Sequence, residues 1–334
     1  MVLAGDIGGT NTRLAFFEGT PDHLTPVALE VFPNRGHKGL EEIAAQFVAK
    51  HNVKAGAACF GIAGAVRDGY VETTNLPWTV SAKKVAGELG VEDVYLINDL
   101  EANAHGIALL SESDFVALNT GVPDPHGNRA LISAGTGLGE AGLLAQADGG
   151  YRPFPSEGGH ADFAPRNNLE IELLRYLMGK FEHVSYERVL SGPGLHNVYE
   201  FLRDTGRAEE PVWLRDQMAQ GDPSAAIAKS ALAGTSAIAV QALDIFVSIY
   251  GAEAGNLALK VVATGGAFLG GGIAPKILPK LQEPAFLKAF QDKGRVSDLL
   301  KDIPVRVITN DKTALFGAGR VAAIAQASKQ ARRG

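Results

Sequence analysis

Cysteine is almost missing. Cys59 is the only one in 334 residues, which excludes an internal disulfide and a Cys-rich zinc site. It lies in "AGAACFGIAGAV" and reads as a small buried hydrophobe. Basic residues are not in excess: 31 Lys and Arg stand against 37 Asp and Glu, a net charge of -6. The electrostatic footprint of a nucleic-acid binder is therefore absent, and the basic terminal "KQARRG" reads as a solvated helix end. No apolar run approaches the roughly twenty residues a membrane-spanning helix needs. "MVLAGDIGGT" lacks the basic n-region of a secretory signal. No membrane partner is expected, and a cytoplasmic setting is. There is no Walker A sequence either, since the only Gly-Lys pair, Gly179-Lys180, runs into Phe181.

The composition, 46% apolar and 20% charged, provides a large core. Apolar runs alternate with helical patterns. "MVLAGDI" and "TRLAFFEG" read as two strands joined by a Gly turn, "LEEIAAQFVAKH" (40–51) as a helix, and "KAGAACFGIAGAV" as a buried strand. "SAKKVAGELG" reads as a helix stopped at Gly90 and "VYLIND" as a further strand. A second strand series begins at "ALISAGTGLGEAGLLAQADGG" (130–150). Residues 169–255 are mainly helical, "KVVATGG" and "PVRVIT" read as strands, and "ALFGAGRVAAIAQASKQ" is a closing helix. The alternation predicts an α/β protein with a partly parallel sheet. "LAGDIGGTNTRLAFF" and "ISAGTGLGEAGLLA" share a strand, Gly-turn, strand pattern about 130 positions apart, which suggests two similarly built halves with a ligand cleft between them.

Three Gly-rich turns follow strands. In "GDIGGTNTR", Gly8 and Gly9 let the backbone approach a ligand, and successive amides make an anion-binding concavity. Asp6 could hold Mg²⁺ through water, because hard cations prefer oxygen ligands. "SAGTGLGEAG" (133–142) is the second such turn. It mimics a dinucleotide fingerprint, but a strand rather than a helix follows it. "VVATGGAFLGGG" (261–272) is the third.

Asn98 and Asp99 end the apolar strand of "VYLINDLEANAHG". Either could cap the helix that follows. Strand C-terminal ends in α/β sheets face ligands, so Asp99 could instead accept a proton from a substrate hydroxyl that Asn98 orients. "FPSEGGHADFAP" (154–165) gathers Glu157, His160 and Asp162. It lacks the spacing of a zinc helix, and a carboxylate and an imidazole there suit sugar hydroxyls. Glu187 of "VSYERVLSG" could join them, and "TTNLPWT" could contribute Asn75 from a turn or cleft loop.

Together these stretches resemble the bacterial glucokinases of the hexokinase type. The resemblance runs from "LAGDIGGTNTRLAFF" through "TNLPW", "INDLEANAHGI", "AGTGLGEA", "PSEGGHADFAP", "ERVLSGPGLHN" and "ATGGAFLGGGIAPK" to the "DIPVRVI" strand and the last helix. It implies the two-lobed actin-like ATPase fold of the ribonuclease H-like class. The smaller lobe would span 1–108, completed by a C-terminal helix at 312–330, and the larger lobe 109–311, with hinges near 108 and 311. It implies ATP-dependent phosphorylation of glucose at the 6-hydroxyl, a homodimer, and ATP and Mg²⁺ as cofactors. The first phosphate loop would be Gly5, Asp6, Ile7, Gly8, Gly9 and Thr10, with Asp6 near Mg²⁺. The second would be Gly135, Thr136 and Gly137, and Gly265 and Gly266 would sit beside the adenosine. Asp99 would be the general base, and Asn98, Glu157, His160 and Glu187 the glucose ligands.

Two departures stand out. The single cysteine excludes the zinc motif of the related repressor and kinase branch, and Ala65 of "GIAGAV" stands where many glucokinases carry Pro. The alternatives are a kinase of another hexose, a non-catalytic sugar-sensing regulator, a chaperone-like ATPase and a Rossmann dehydrogenase. A regulator would need a DNA-binding module, for which the termini leave no visible room. The Glu157/His160 loop argues against an ATPase without a small acceptor, and the turn context argues against the dehydrogenase.

Overall fold

A computed structural model of the chain describes residues 1–73 and 76–333. It divides into two compact units, Met1–Ser113 with Asn310–Gly334, and Asp114–Thr309.

The first unit is built on strands β1 (Val2–Ile7), β2 (Asn11–Thr20), β3 (His23–Pro33), β4 (Ala58–Ile62), β5 (Tyr70–Glu72), β6 (Thr79–Ser81) and β7 (Val94–Asn98). Its helices are α1 (Leu40–His51), α2 (Ala82–Leu89), α3 (Asp99–Gly106) and the C-terminal helix Thr313–Arg333. The five-stranded sheet has the order β3-β2-β1-β4-β7. The first three strands form an antiparallel meander, and β1, β4 and β7 run parallel. Successive residues of a strand point to opposite faces, and the two faces here differ in character. Leu3, Leu14, Phe16 and Phe60 pack on Ile43 and Phe47 of α1. Val2, Ala4, Ala15 and Cys59 pack on Leu315, Ala318 and Ala322 of the C-terminal helix. The smaller residues of the second face let that helix lie close. Gly317 meets the Ala102 carbonyl, and Gly106 meets Thr313, with no room for a Cβ at either glycine. The contact fixes the direction of α3, and with it the position of Asp99.

In the second unit the strands are β8 (Phe115–Asn119), β9 (Arg129–Ala134), β10 (Leu138–Ala145), β11 (Tyr151–Ser156), β12 (Gly266–Gly270) and β13 (Val305–Ile308). The helices are α4 (Asn168–Met178), α5 (Gly192–Asp204), α6 (Val212–Gln220), α7 (Pro223–Leu232), α8 (Ala237–Val261), α9 (Leu278–Leu281), α10 (Pro284–Gln291) and α11 (Ser297–Asp302). The sheet order is β11-β10-β9-β12-β13-β8. Strand β9, its Gly-rich turn and the antiparallel β10 and β11 repeat the build of β1, β2 and β3. Strand β12 lies parallel beside β9 as β4 does beside β1. The likeness between the two Gly-rich openings in the sequence is this shared topology.

One helix and one expected strand differ from a simple reading of their composition. Among the described residues α8 is long and apolar enough to cross a membrane by length and composition. Its Leu243, Phe246, Val247 and Tyr250 are nevertheless fully buried in the core, and Gly251 and Gly255 abut the backbone of α10. "KVVATGG" is not a strand. Lys260 and Val261 end α8, Val262 adopts a left-handed cap conformation, and the strand starts at Gly266. The β-branched pair favours a strand locally, but α8 keeps its helical ladder one turn further, and the Ala263 N–H closes onto the Ala258 carbonyl.

Candidate active site

In the first unit, β1 carries Asp6 to its C-terminal end, and Gly8, Gly9 and Thr10 turn the chain into β2. The turn is pinned from below by Asn34. Its Nδ2 donates to the Gly8 carbonyl at 2.7 Å, its Oδ1 accepts from the buried Thr12 hydroxyl at 2.8 Å, and its N–H donates to the Thr10 carbonyl at 2.8 Å. All three turn residues are exposed. Gly8 has ordinary φ, and a Cβ there would meet only the Asn11 carbonyl at 3.3 Å. The fold itself barely needs glycine at this position, whereas a ligand in close approach would.

Asp6 is an unusual carboxylate. Burial pushes its pKa up to about 6. Arg13 opposes that shift, while the negative charges of Asp99 and Asp311 add to it. The nearest Arg13 nitrogen is 3.9 Å from Asp6, and the same guanidinium holds the Asp311 carboxylate at 2.8 Å. Two carboxylates thus share one arginine, and a third, Asp99, adds its charge at Asp6. Among the described residues no cluster of three or more His, Cys, Asp or Glu is placed to ligate a metal directly. The donor set instead fits a hard cation held by Asp6 through water and by phosphate oxygens, whose charge would relieve the crowding.

Strand β7 delivers Asn98 and Asp99 beside β4. Asn98 is the N-cap of α3. Its Oδ1 accepts from the Leu100 N–H at 2.9 Å, and its Nδ2 donates to the Gly64 carbonyl at 3.0 Å. Asp99 is the first helical residue, half-buried, with Oδ1 also 2.9 Å from the Leu100 nitrogen.

The second unit holds a cavity of about 700 Å³ at the C-terminal ends of β9 and β12. Gly135 and Thr136 line one side, the first turns of α5 and α7 the next, and Gly272 and Lys276 the far side. Two helix N-termini and Lys276 face this cavity, and the Asp222 carboxylate, which caps α7 and lies near Lys276, offsets part of that positive charge. A Cβ on Gly135 or Gly272 would meet nothing within 4 Å, and neither glycine has positive φ. Open backbone here has no packing reason.

The same unit brings together two turns from separate stretches. Glu157 and His160 flank a 3₁₀ turn at Gly158–His160, and both are exposed. The turn at Tyr186–Arg188 carries Glu187. The two segments are laced by the Phe163 N–H to the Val184 carbonyl and the Tyr186 N–H to the Ala161 carbonyl, each 3.0 Å. Glu187 accepts from the Leu138 N–H at 2.9 Å, and its carboxylate lies against Gly137. The carboxylate of one turn therefore touches the Gly-rich turn itself.

The glucokinase family model matches residues 3–325. The chain belongs to the glucokinase family. A glucokinase of Nostoc sp. is 43% identical over 340 residues, covering 97% of this chain and 99% of that one. A glucokinase of Yersinia enterocolitica is 36% identical over 318 residues, covering 95% and 94%. A solved glucokinase from an Antarctic psychrotroph superposes with a TM-score of 0.85 at 30% identity, covering 96% of this chain and 98% of that one. The fold is the actin-like fold of these kinases.

Several family motifs can now be placed in this glucokinase-family chain. Asp6, Gly8, Gly9, Thr10, Asn98 and Asp99 come from one unit, and Gly135, Thr136, Gly137, Glu157, His160 and Glu187 from the other. Gly5 and Ile7 are strand residues rather than loop. Ile7 is buried, and a Cβ on Gly5 would run into the Phe60 ring. Gly265 and Gly266 do not reach the cavity. In the parallel pairing Gly266 stands opposite Arg129 and Gly270 opposite Ser133, so this glycine pair lies at the start of β12, against Gly127 and Asn128. From this Gly-rich stretch it is Gly272 that lines the cavity. The misplacement shares its cause with the misread strand: α8 runs on, and β12 begins later. Asn75 lies outside the described residues. The sequence reading missed Asn34, Arg13, Asp311 and Lys276. Only Arg13 had a local signal, as the third residue of β2 after the Gly turn.

Proposed function

We propose that this chain transfers the terminal phosphoryl group of ATP to the 6-hydroxyl of glucose. Membership of the glucokinase family supports the activity. The observation that carries the chemistry is Asp99, presented at the end of a parallel strand while Asn98 does the capping. Asp99 takes the proton of the attacking hydroxyl as the new oxygen–phosphorus bond forms and the bond to the ADP leaving group breaks. A positioned base of this kind is worth about 10²–10⁴-fold. The Gly8–Thr10 and Gly135–Gly137 amides and the helix N-termini of the 700 Å³ cavity balance phosphate charge, where most of the catalysis in such transfers arises. Mg²⁺, when bound, neutralises charge on the transferred group, and Asp6 is the residue that would hold it.

Glu157, His160 and Glu187 receive the sugar hydroxyls. A site of fixed polar partners rejects sugars lacking a hydroxyl, because a partner is then left unpaired. Asn98 donates one amide hydrogen to the Gly64 carbonyl, and among the described residues the other has no acceptor, so it serves to orient the sugar. Gly272 takes the adenosine place first assigned to Gly265 and Gly266. A ROK-family glucokinase of Streptomyces griseus solved with glucose and AMPPNP shares the fold at a TM-score of 0.63 and 20% identity, in keeping with both ligands. The resemblance also supports a cytoplasmic homodimer. A coupled assay across a panel of hexoses and nucleotide donors tests the reading: glucose with ATP should give glucose 6-phosphate, and turnover of ATP without any sugar dependence would overturn it.

A further inference from the structure

Behind the two sugar turns lies a buried polar network that the transfer reaction does not use. Glu140, on β10, is 1% exposed, and among the described residues its Oε1 has no hydrogen-bond donor within reach. Its main chain pairs with Ser156, and its Oε2 lies so close under Gly158 that no Cβ could fit there. Gly158 is the residue between Glu157 and the rest of the turn that ends in His160. Glu253, on α8, is fully buried and faces Glu140. Its Oε2 accepts from Asn256 Nδ2 at 2.8 Å, and Asn256 Nδ2 also donates to the Tyr186 hydroxyl at 3.1 Å. Tyr186 is the neighbour of Glu187.

We infer that the Glu140–Glu253 carboxyl pair is the positioning device of the sugar turns, with Glu140 supporting the Glu157/His160 turn and Glu253, through Asn256 and Tyr186, supporting Glu187. The inference rests on the reading of those turns as the sugar site. Two carboxylates cannot both be ionised in such a place without a large desolvation cost and mutual repulsion. Burial, and then the charge of Glu253, hold the Glu140 carboxyl far above the ordinary range, at about 8, against the pull of Lys260. At neutral pH Glu140 therefore keeps its proton. The other charged and titratable groups around it are Lys260 of α8, 3.4 Å from Glu253, and Lys293, which donates to Asn256 Oδ1 at 2.6 Å. Tyr186, Arg166 and Asp292 complete the surroundings. Lys293 is itself depressed to about 8, chiefly by burial, so raising the pH removes a positive charge from the network while adding a negative one. Both changes push Glu140 and Glu253 apart, under Gly158 on one side and Tyr186 on the other.

The test is a pH series of initial rates for the full chain and for Glu140→Gln, which has the shape of the neutral acid and no proton to lose. In the unaltered chain, KM for glucose should rise about five- to tenfold from about pH 7 to about pH 9, with KM for ATP changing less than about twofold. Glu140→Gln should keep the low KM for glucose flat across that range. A rise of wild-type size in Glu140→Gln, or no rise in the unaltered chain, overturns the inference. Should Glu140→Gln not fold, Glu253→Gln removes the partner charge, and the same flat profile is expected of it. The sugar-site reading fails separately: Glu157→Gln with unchanged KM for glucose at neutral pH would reject that reading whatever the pH series showed.

Discussion

The Asn98 amide and the Asp99 carboxylate share one donor: both Oδ1 atoms lie 2.9 Å from the Leu100 nitrogen. The Asn98 bond is the cap of α3, since Asn98 has extended φ and ψ and Asp99 is already helical. Removing the charge of Asp99 while keeping its shape should therefore leave the helix in place. Asp99→Asn is expected to lower kcat about 10²–10⁴-fold, with the melting temperature nearly unchanged and glucose still bound in calorimetry. Turnover close to that of the unaltered chain would remove Asp99 from the base role.

Asn98→Ala should behave differently. It deletes the cap and the bond to the Gly64 carbonyl, which costs about 1 kcal/mol of stability for the cap alone. Asn98→Asp restores the acceptor and should recover most of that loss. Thermal denaturation of the two variants side by side checks the contrast, and equal melting temperatures would show that the cap is not what holds α3.

Asp6 links stability to pH in the sense opposite to an ordinary paired carboxylate. Its folded pKa, about 6, lies above the unfolded value of 3.8 because burial outweighs Arg13. Between those values the unfolded chain has lost the proton that the folded chain still holds. Stability therefore falls as pH rises through this window and stays lower above it. Asp6→Asn should raise the melting temperature near neutral pH, by at most about 3 kcal/mol of stability, and change little near pH 3.5. The same variant should lose the extra protection that Mg²⁺ adds to ATP in a thermal shift assay. Unchanged melting at neutral pH would reject the carboxylate crowding.

Much of the fold could be read from the sequence because the strands and helices carry their own punctuation. α1 spans the stretch 40–51 marked by its apolar spacing, and α2 stops at Gly90, which takes φ 63. What misled the reading was the end of α8, where two valines and a Gly pair looked like strand and turn although the tertiary core kept the helix going. Asn34 and Asp311 had no signal, since each reaches the Asp6 turn through folding, Asn34 from 26 positions beyond Gly8 and Asp311 from 298 beyond Arg13, and no local pattern records that. Glu140 stood in plain view inside "AGTGLGEA", but only its burial against Glu253 sets it apart from a surface carboxylate.

Two glycines two positions apart in one turn give the sharpest contrast between a ligand's demand and the fold's. A Cβ on Gly135 meets nothing within 4 Å, whereas one on Gly137 lies 2.6 Å from the Glu187 carboxylate. Gly135→Ala should therefore leave the melting temperature unchanged or slightly raised, because the unfolded chain loses freedom, while KM for ATP rises about tenfold or more as the methyl group obstructs phosphate approach. Gly137→Ala should displace Glu187 and break its bond to the Leu138 N–H. Its main kinetic effect should be a higher KM for glucose, with a loss of stability of about 1 kcal/mol. Initial-rate kinetics with each substrate varied in turn, together with thermal melts, separate the two. If both variants raised only the KM for ATP, Glu187 would have no part in holding the sugar.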